Sequence, residues 1–181
     1  MAYPLLVPLP AELTDSRASL RLITLDDWPV EVALSALPDV VRWTRYPPDL
    51  DAAGARARIE TRMQGAAAGT GGRYIVHDPT GSVAGNAGIA MNEQRTPEVF
   101  YALLPAGRGR GLATAATCQL TGWALSVGHD VVVVKTILGN TASEAVARRS
   151  GFTPVTVETA TVQDAEVQLW RWERSSGDAV H

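Results

Sequence analysis

The sequence predicts a single α/β domain built on one mixed, mostly antiparallel sheet. Three observations lead there. The chain has 181 residues, enough for one full hydrophobic core and the size of an ordinary domain. Apolar residues alternate in some segments and recur at steps of three and four in others, so both strands and helices are present. The segments run strand, two helices, three strands, helix, strand, helix, two strands. The strand–helix–strand passage in the middle implies a right-handed crossover. The expected total is about seven strands and about four helices in one domain over residues 1–181.

Each element has a local reason. Residues 1–17 are proline-rich and are expected to form an irregular arm. From Ser19 to Thr24, Leu20 and Leu22 flank Arg21, which reads as a strand. Asp26 and Asp27 open a helix carrying Val30, Val32, Leu34 and Leu37, and Pro38 ends it. Pro47 and Pro48 break the chain again. Asp49 to Ala68 reads as a helix rich in alanine and arginine, closed by the loop from Gly69 to Gly72. A meander follows: Arg73 to His77, then Ser82 to Met91, then Pro97 to Leu104. Asp78-Pro79-Thr80-Gly81 has the residues of a type I turn between the first two strands.

The period then changes. Leu112, Ala116, Leu120, Trp123 and Val127 form a helical stripe, and Gly128 ends it. Val131 to Val134 is a β-branched run, as expected of a strand covered on both faces. Asn140 and Thr141 open another helix, where Thr141 and Glu144 fit a capping box. Gly151 closes that helix. Phe152 starts a last pair of strands, the second carrying Val167, Leu169 and Trp170. Residues 174–181 are expected to form a flexible tail.

Composition narrows the function. Net charge is −3 with no basic run, which argues against nucleic-acid binding. No apolar run reaches the ~18 residues of a membrane span, and Met1 to Pro4 does not open a signal peptide. Cys118 is the only cysteine, so no internal disulfide can form, which fits a reducing, cytoplasmic compartment. His77, His129 and His181 lack metal-ligand spacing, so no metal site is expected. Cys118 has no histidine partner evident in the sequence, so no covalent nucleophile stands out.

The segment that carries chemistry is Leu104 to Thr114, which follows a strand and opens the best helix. Its glycines allow tight turning and expose successive N–H groups. With the helix N-terminus these make a phosphate site, to which Arg108 and Arg110 can add charge. A Walker A loop would need a lysine, and none is present. A dinucleotide fingerprint fails because Leu112 or Thr114 stands where its last glycine or alanine belongs. Arg108, Gly111 and Ala113 fill the remaining pattern, R-x-x-G-x-A; a plain glycine-rich helix cap is the bland alternative.

In this motif the chain resembles the GNAT superfamily of acyl-CoA-dependent N-acyltransferases. Glu98 to Pro105 is similar to the strand before the motif. Asn140-Thr141-Ala142-Ser143, followed by Gly151-Phe152, is similar to the branch that acetylates N-termini of ribosomal proteins. The resemblance implies a sheet splayed in the middle around acetyl-CoA as co-substrate. Pantetheine would bond the main chain of Ala102, Leu103 and Leu104, with Asn140 assisting. Pyrophosphate would sit on Arg108 and the N–H groups of Gly109, Arg110, Gly111, Leu112, Ala113 and Thr114. Trp43 and Tyr46 would wall the acceptor pocket, or simply pack.

The reaction so implied is attack of a neutral primary amine on a thioester in a ternary complex. An α-amine, of pKa near ~8, loses its proton more readily than a lysine near ~10.4. Glu98 would be the base, or else a strand-end glutamate in a salt bridge. The tyrosine that many relatives carry seven residues after the asparagine is Ala147 here. Ser143 would instead donate to the thiolate, or serve only to cap its helix. The acceptor is a peptide N-terminus or a small amine. Succinyl-CoA is a rival donor, a non-catalytic acyl-CoA sensor is a rival role, and a homodimer is compatible with the resemblance.

Overall fold

Among the described residues only one adjacent pair of strands runs parallel, and a cleft opens beside it. In a computed structural model, which describes residues 8–177, the strands are β1 (Glu12–Thr14), β2 (Ser19–Leu22), β3 (Gly71–His77), β4 (Val83–Met91), β5 (Pro97–Leu103), β6 (Val131–Ile137), β7 (Thr153–Val162) and β8 (Ala165–Ser175). The helices are α1 (Trp28–Ser35), α2 (Pro38–Trp43), α3 (Ala52–Ala67), α4 (Leu112–Ser126) and α5 (Thr141–Arg149). One sheet of 8 strands has the order β1-β2-β3-β4-β5-β6-β8-β7. It is the expected mixed α/β sheet, with one strand and one helix more than the sequence suggested.

The extra strand corrects the reading of residues 1–17 as irregular, as far as they are described. Glu12–Thr14 pairs antiparallel with Ser19–Arg21. The intervening turn is held by Asp15, whose carboxylate accepts the N–H groups of Arg17 and Ala18 at 2.7 and 2.9 Å. The extra helix comes from Pro38. It ends the α1 segment as expected, but it also occupies the first turn of α2, where a missing N–H costs nothing. The tail also begins later than expected. β8 continues to Ser175, and Arg174 donates to the Ser150 carbonyl at 3.1 Å. Residues 1–7 and 178–181 lie outside the described part of the chain.

Elsewhere the patterns hold. Asp78 caps its turn by accepting from Thr80 and Ser82 main-chain N–H groups at 2.9 and 3.1 Å. Leu112, Ala116 and Leu120 of α4 are buried against the sheet. Val132, Val133 and Val134 of β6 are buried, as a strand covered on both faces requires. Ala147 is fully buried in the same core as Leu120 and Trp172. No helix among the described residues is long and apolar enough to cross a membrane.

The sheet splits where β5 meets β6. These strands share only the pairs Glu98↔Val133 and Val99↔Val134. β5 meanwhile stays paired with β4 from Pro97 to Leu103, and β6 with β8 along its length. Past Val99 the two central strands part, as the resemblance implied.

Candidate active site

The split leads into a cleft of about 700 Å³ bounded by β5, β6, β7, α5 and the segment after α2. The cleft and the turn that follows β5 are built differently.

At the α4 turn the backbone supplies the chemistry. Gly109 and Gly111 have φ of +70° and +76°, a region open to glycine at little cost. A Cβ added to either would meet nothing within 4 Å, so open space lies over this turn. Main-chain bonding of the helix begins with the Ala115 N–H on the Gly111 carbonyl at 2.9 Å. The first helical N–H groups, those of Leu112, Ala113 and Thr114, therefore have no partner within the helix. Free N–H groups, a helix dipole and open space fit a pyrophosphate.

The side chains of this loop are engaged elsewhere. Arg108 pairs with Asp39 at 2.6 Å and donates to the Leu103 carbonyl at 3.1 Å. Arg110 pairs with Asp78 at 2.8 Å. Hydrogen bonds from the Thr80 hydroxyl and then Arg110 hold the Asp78 carboxyl well below the usual carboxylate range. Along β5 the main chain divides its bonds by alternation. The Leu104 N–H bonds the Ala84 carbonyl at 2.9 Å, and Ala102 lies opposite Asn86. Both therefore turn their main chain towards β4, while Tyr101 and Leu103 turn theirs towards the gap. Of Ala102, Leu103 and Leu104, only Leu103 presents its main chain to the opening.

At the mouth of α5, Asn140 is the N-cap: its Oδ1 accepts the Ser143 N–H at 3.2 Å. The expected capping box at Thr141 is not the one formed. Glu144 instead accepts from the Gly139 N–H at 3.3 Å. The Ser143 hydroxyl plays no part in the cap and lines the cleft with Asn140 and Tyr101. The Tyr101 hydroxyl is buried and has no partner at hydrogen-bonding geometry. Burial pushes its pKa up to about 12, with Ser143 nearby offsetting the rise in part.

Glu98 lines the same cleft. Lys135 stands between two carboxylates, with its ammonium 2.8 Å from Glu158 and 4.0 Å from Glu98. The closer pair is with Glu158, so Glu98 is the carboxylate less committed to the lysine.

Beyond them lies a wall of arginines. Arg58 and Arg62 on α3 and Arg73 on β3 all line the cleft with Trp43 and Tyr46. Glu31 of α1 is 1 % exposed and accepts from Arg58 at 2.9 Å and Asn86 at 2.7 Å. Asn86 also bonds the Tyr46 hydroxyl at 2.7 Å and accepts from Arg73 at 3.0 Å. Gly88 makes room for this layer. It lies opposite both Arg73 and Phe100, and a Cβ there would strike the Phe100 ring. The Arg73 guanidinium accordingly stacks over that ring at 4.9 Å. The acceptor-side loop is pinned by Gln163, whose amide donates to the Val41 and Tyr46 carbonyls at 3.0 and 2.7 Å. Gln163 and Asp164 have φ of +49° and +63°, which gives the β7–β8 hairpin a tight primed turn.

The structure thus brings Glu98, Ser143, Asn140, Trp43 and Tyr46 to one cleft; the α4 turn follows the end of β5, outside the residues that line it. Sequence reasoning missed Tyr101, Lys135, Glu158, Glu31 and the three arginines. Lys135 offered a signal as the sole lysine. Arg58 and Arg62 fall in a segment that reads only as a helix rich in alanine and arginine, and Arg73 in a strand; the fold brings them to one cleft. Among the described residues no cluster of histidine, cysteine and carboxylates could hold a metal.

Comparisons with known proteins agree with this fold. Solved structures of similar fold include the ribosomal L7/L12 alpha-N-protein acetyltransferase RimL in complex with coenzyme A, at 17% identity and TM-score 0.80, covering 91% of this chain and 97% of that one. The microcin C7 self-immunity acetyltransferase MccE, in complex with acetyl-CoA and AMP, has 18% identity and TM-score 0.82, covering 93% and 98%. Spermidine N-acetyltransferase from Vibrio cholerae, with CoA and spermine, has 14% identity and TM-score 0.76, covering 91% and 98%. No curated protein sequence matches significantly. Residues 17–153 match the family model of the acetyltransferase (GNAT) domain, and the chain belongs to the GNAT acetyltransferase family.

Proposed function

We propose that this protein transfers an acetyl group from acetyl-CoA to a primary amine by direct attack in a ternary complex. The observation that carries the reading is the split between β5 and β6. It joins the unpaired N–H groups at the start of α4 to a cleft holding a carboxylate and a hydroxyl pair. The α4 turn would hold the pyrophosphate, and the main chain of Leu103 and Tyr101 would receive the pantetheine. Arg108 is the side chain that could close on the cofactor, exchanging Asp39 for phosphate.

Acetyl-CoA supplies the activated carbonyl when bound. Glu98 accepts the proton that the amine must lose, directly or through water. Lys135 keeps Glu158 occupied, which leaves Glu98 the freer base. As the nitrogen–carbon bond forms and the carbon–sulfur bond breaks, the thiolate needs a donor. Ser143 would supply it, with the buried Tyr101 hydroxyl as a second candidate. Ala147 is buried in the core, so in this reading the donor is Ser143 of the same helix, or Tyr101 of β5, in place of the tyrosine found in many relatives. A thiol-release assay over a panel of amines, with intact-mass detection of products, tests this. Release with at least one amine class supports transfer. Tight coenzyme binding without release for any amine would leave an acyl-CoA sensor.

A further inference from the structure

The acceptor end of the cleft carries more positive charge than its own carboxylate can answer. Among the described residues Glu31 is the carboxylate hydrogen-bonded within this layer of Arg58, Arg62 and Arg73, and both its oxygens are used, by Arg58 and by Asn86. Arg73 is 6 % exposed. It donates to Asn86 and leaves its Nε buried without a partner. The Arg62 Nε is likewise buried and unpartnered, and Arg62 forms no ion pair with a described residue. A guanidinium is always charged and offers five donors. Buried donors left unmet are costly, and like charges held together add to that cost. Burial first, then Arg73 and Arg58, pull the Arg62 pKa down, which expresses the same crowding. Tyr46 cannot balance the charge as a phenolate, because burial raises its pKa far above neutrality.

We propose that this arginine wall is a subsite for an oxyanion, so that the preferred acceptor is a primary amine carrying a carboxylate or phosphate group. This rests on the amine-acetyltransferase reading of the same cleft and names the class of its substrate. Planar guanidinium groups match both oxyanions in geometry. The unpaired Nε groups of Arg62 and Arg73 are the donors the oxyanion engages. Arg58 supplies field from its pair with Glu31, and Tyr46 stacks at 4.6 Å beneath the Arg58 guanidinium and fixes its plane. Glu98 and Arg73 stand on β5 and β3, with β4 between them. The amine and the oxyanion of the acceptor are therefore separated by a distance on the order of 10 Å. A polyamine would bring cations to this wall and is disfavoured.

The test uses matched pairs of amines with the intact enzyme and saturating acetyl-CoA. Dipeptides with a free C-terminal carboxylate are compared with their C-terminal amides, and aminoalkyl phosphates with the parent amino alcohols. The expected result is a kcat/KM preference of about tenfold or more for the oxyanion member, the size of one charge-assisted hydrogen bond. The larger of the two preferences tells a carboxylate from a phosphate acceptor. In Arg62→Gln, a partly buried position outside the hydrophobic core clusters, the ratio falls towards one. A ratio near one in the wild type, or one unchanged in Arg62→Gln, overturns the subsite. If no amine is turned over, calorimetry with inorganic phosphate and with succinate in excess CoA decides separately. Binding that Arg62→Gln abolishes keeps the oxyanion site and rejects amine transfer, and absence of binding rejects the site.

Discussion

The α4 turn and the α3–β3 side of the cleft present hydrogen-bond donors by different means. At the start of α4 the ligating groups are main-chain N–H groups, the conformations are those of Gly109 and Gly111, and the nearby arginines are held by Asp39 and Asp78. At the α3–β3 end the donors are guanidinium side chains, stacked on aromatic rings and tied to one buried glutamate. A backbone site depends on conformation and on open space, so it tolerates change in most side chains but not a charge placed in that space. A side-chain site depends on burial and counter-charge, so it responds to single charge deletions. The contrast predicts which substitutions abolish binding and which retune it.

The largest effect is expected at the backbone site. Gly111→Asp puts a carboxylate into the open space above the turn. Aspartate tolerates a left-handed conformation at modest cost, so the fold survives. Coenzyme A binding should disappear in calorimetry, with circular dichroism unchanged. Gly111→Asn is the control, since it has the same shape without the charge. It should retain measurable binding. Equal loss in both would mean that conformation, and not charge, governs the turn.

Next are the carboxylates of the cleft. Glu98→Gln should lower the rate by about 10²–10⁴-fold, the range of general acid–base catalysis, with coenzyme affinity little changed. Glu158→Gln should act more weakly, by releasing Lys135 towards Glu98. Stopped-assay rates across pH check both. If Glu158→Gln is the more damaging, the roles of the two carboxylates are reversed.

That contrast also explains what the sequence could disclose. The α4 turn is local: glycines at fixed offsets, one helix stripe and one preceding strand lie within a few residues of each other. Such a site is legible because its chemistry and its spacing are the same thing. The arginine wall joins α1, α3, β3 and β4, and no periodicity marks which arginines of α3 face inward. Arg58 and Arg62 are one turn apart, as any solvated helix pair would be. Trp43 and Tyr46 were legible only through resemblance. Pro38 misled for a related reason, because proline both stops one helix and starts another. The strand at Glu12–Thr14 was hidden by its shortness and by the prolines before it.

A third expectation bears on the side-chain end as a folding unit. Among the described residues Glu31 is the carboxylate buried with these arginines. Glu31→Gln removes that charge, keeps the shape, and leaves the guanidinium groups unanswered. Breaking a buried pair in this way costs about 3–5 kcal/mol, readable in the denaturant midpoint. If the wall takes an oxyanion, added phosphate recovers part of the loss by binding the folded state. A midpoint shift well below that range would mean that water already screens the wall.

The smallest effects separate Ser143 from Asn140. The cap uses the Asn140 side chain and the main-chain N–H of Ser143, so the Ser143 hydroxyl is free of structural duty. Asn140→Ala should lose about 1 kcal/mol of stability, the usual value of such a cap. Ser143→Ala should leave the melting temperature nearly unchanged. If the hydroxyl donates to the developing thiolate, Ser143→Ala lowers kcat more than it raises KM for acetyl-CoA, because that bond strengthens in the transition state. Tyr101→Phe tests the group behind it. With a pKa raised to about 12 by burial, Tyr101 stays protonated through the neutral range. It contributes no basic limb to the rate profile until pH nears that value. A Ser143→Ala enzyme with unchanged kcat, whose activity then falls in the double variant with Tyr101→Phe, would move the donor role from the helix to β5. Unchanged kcat in both single variants and in the double would mean that the thiolate leaves without a protein donor.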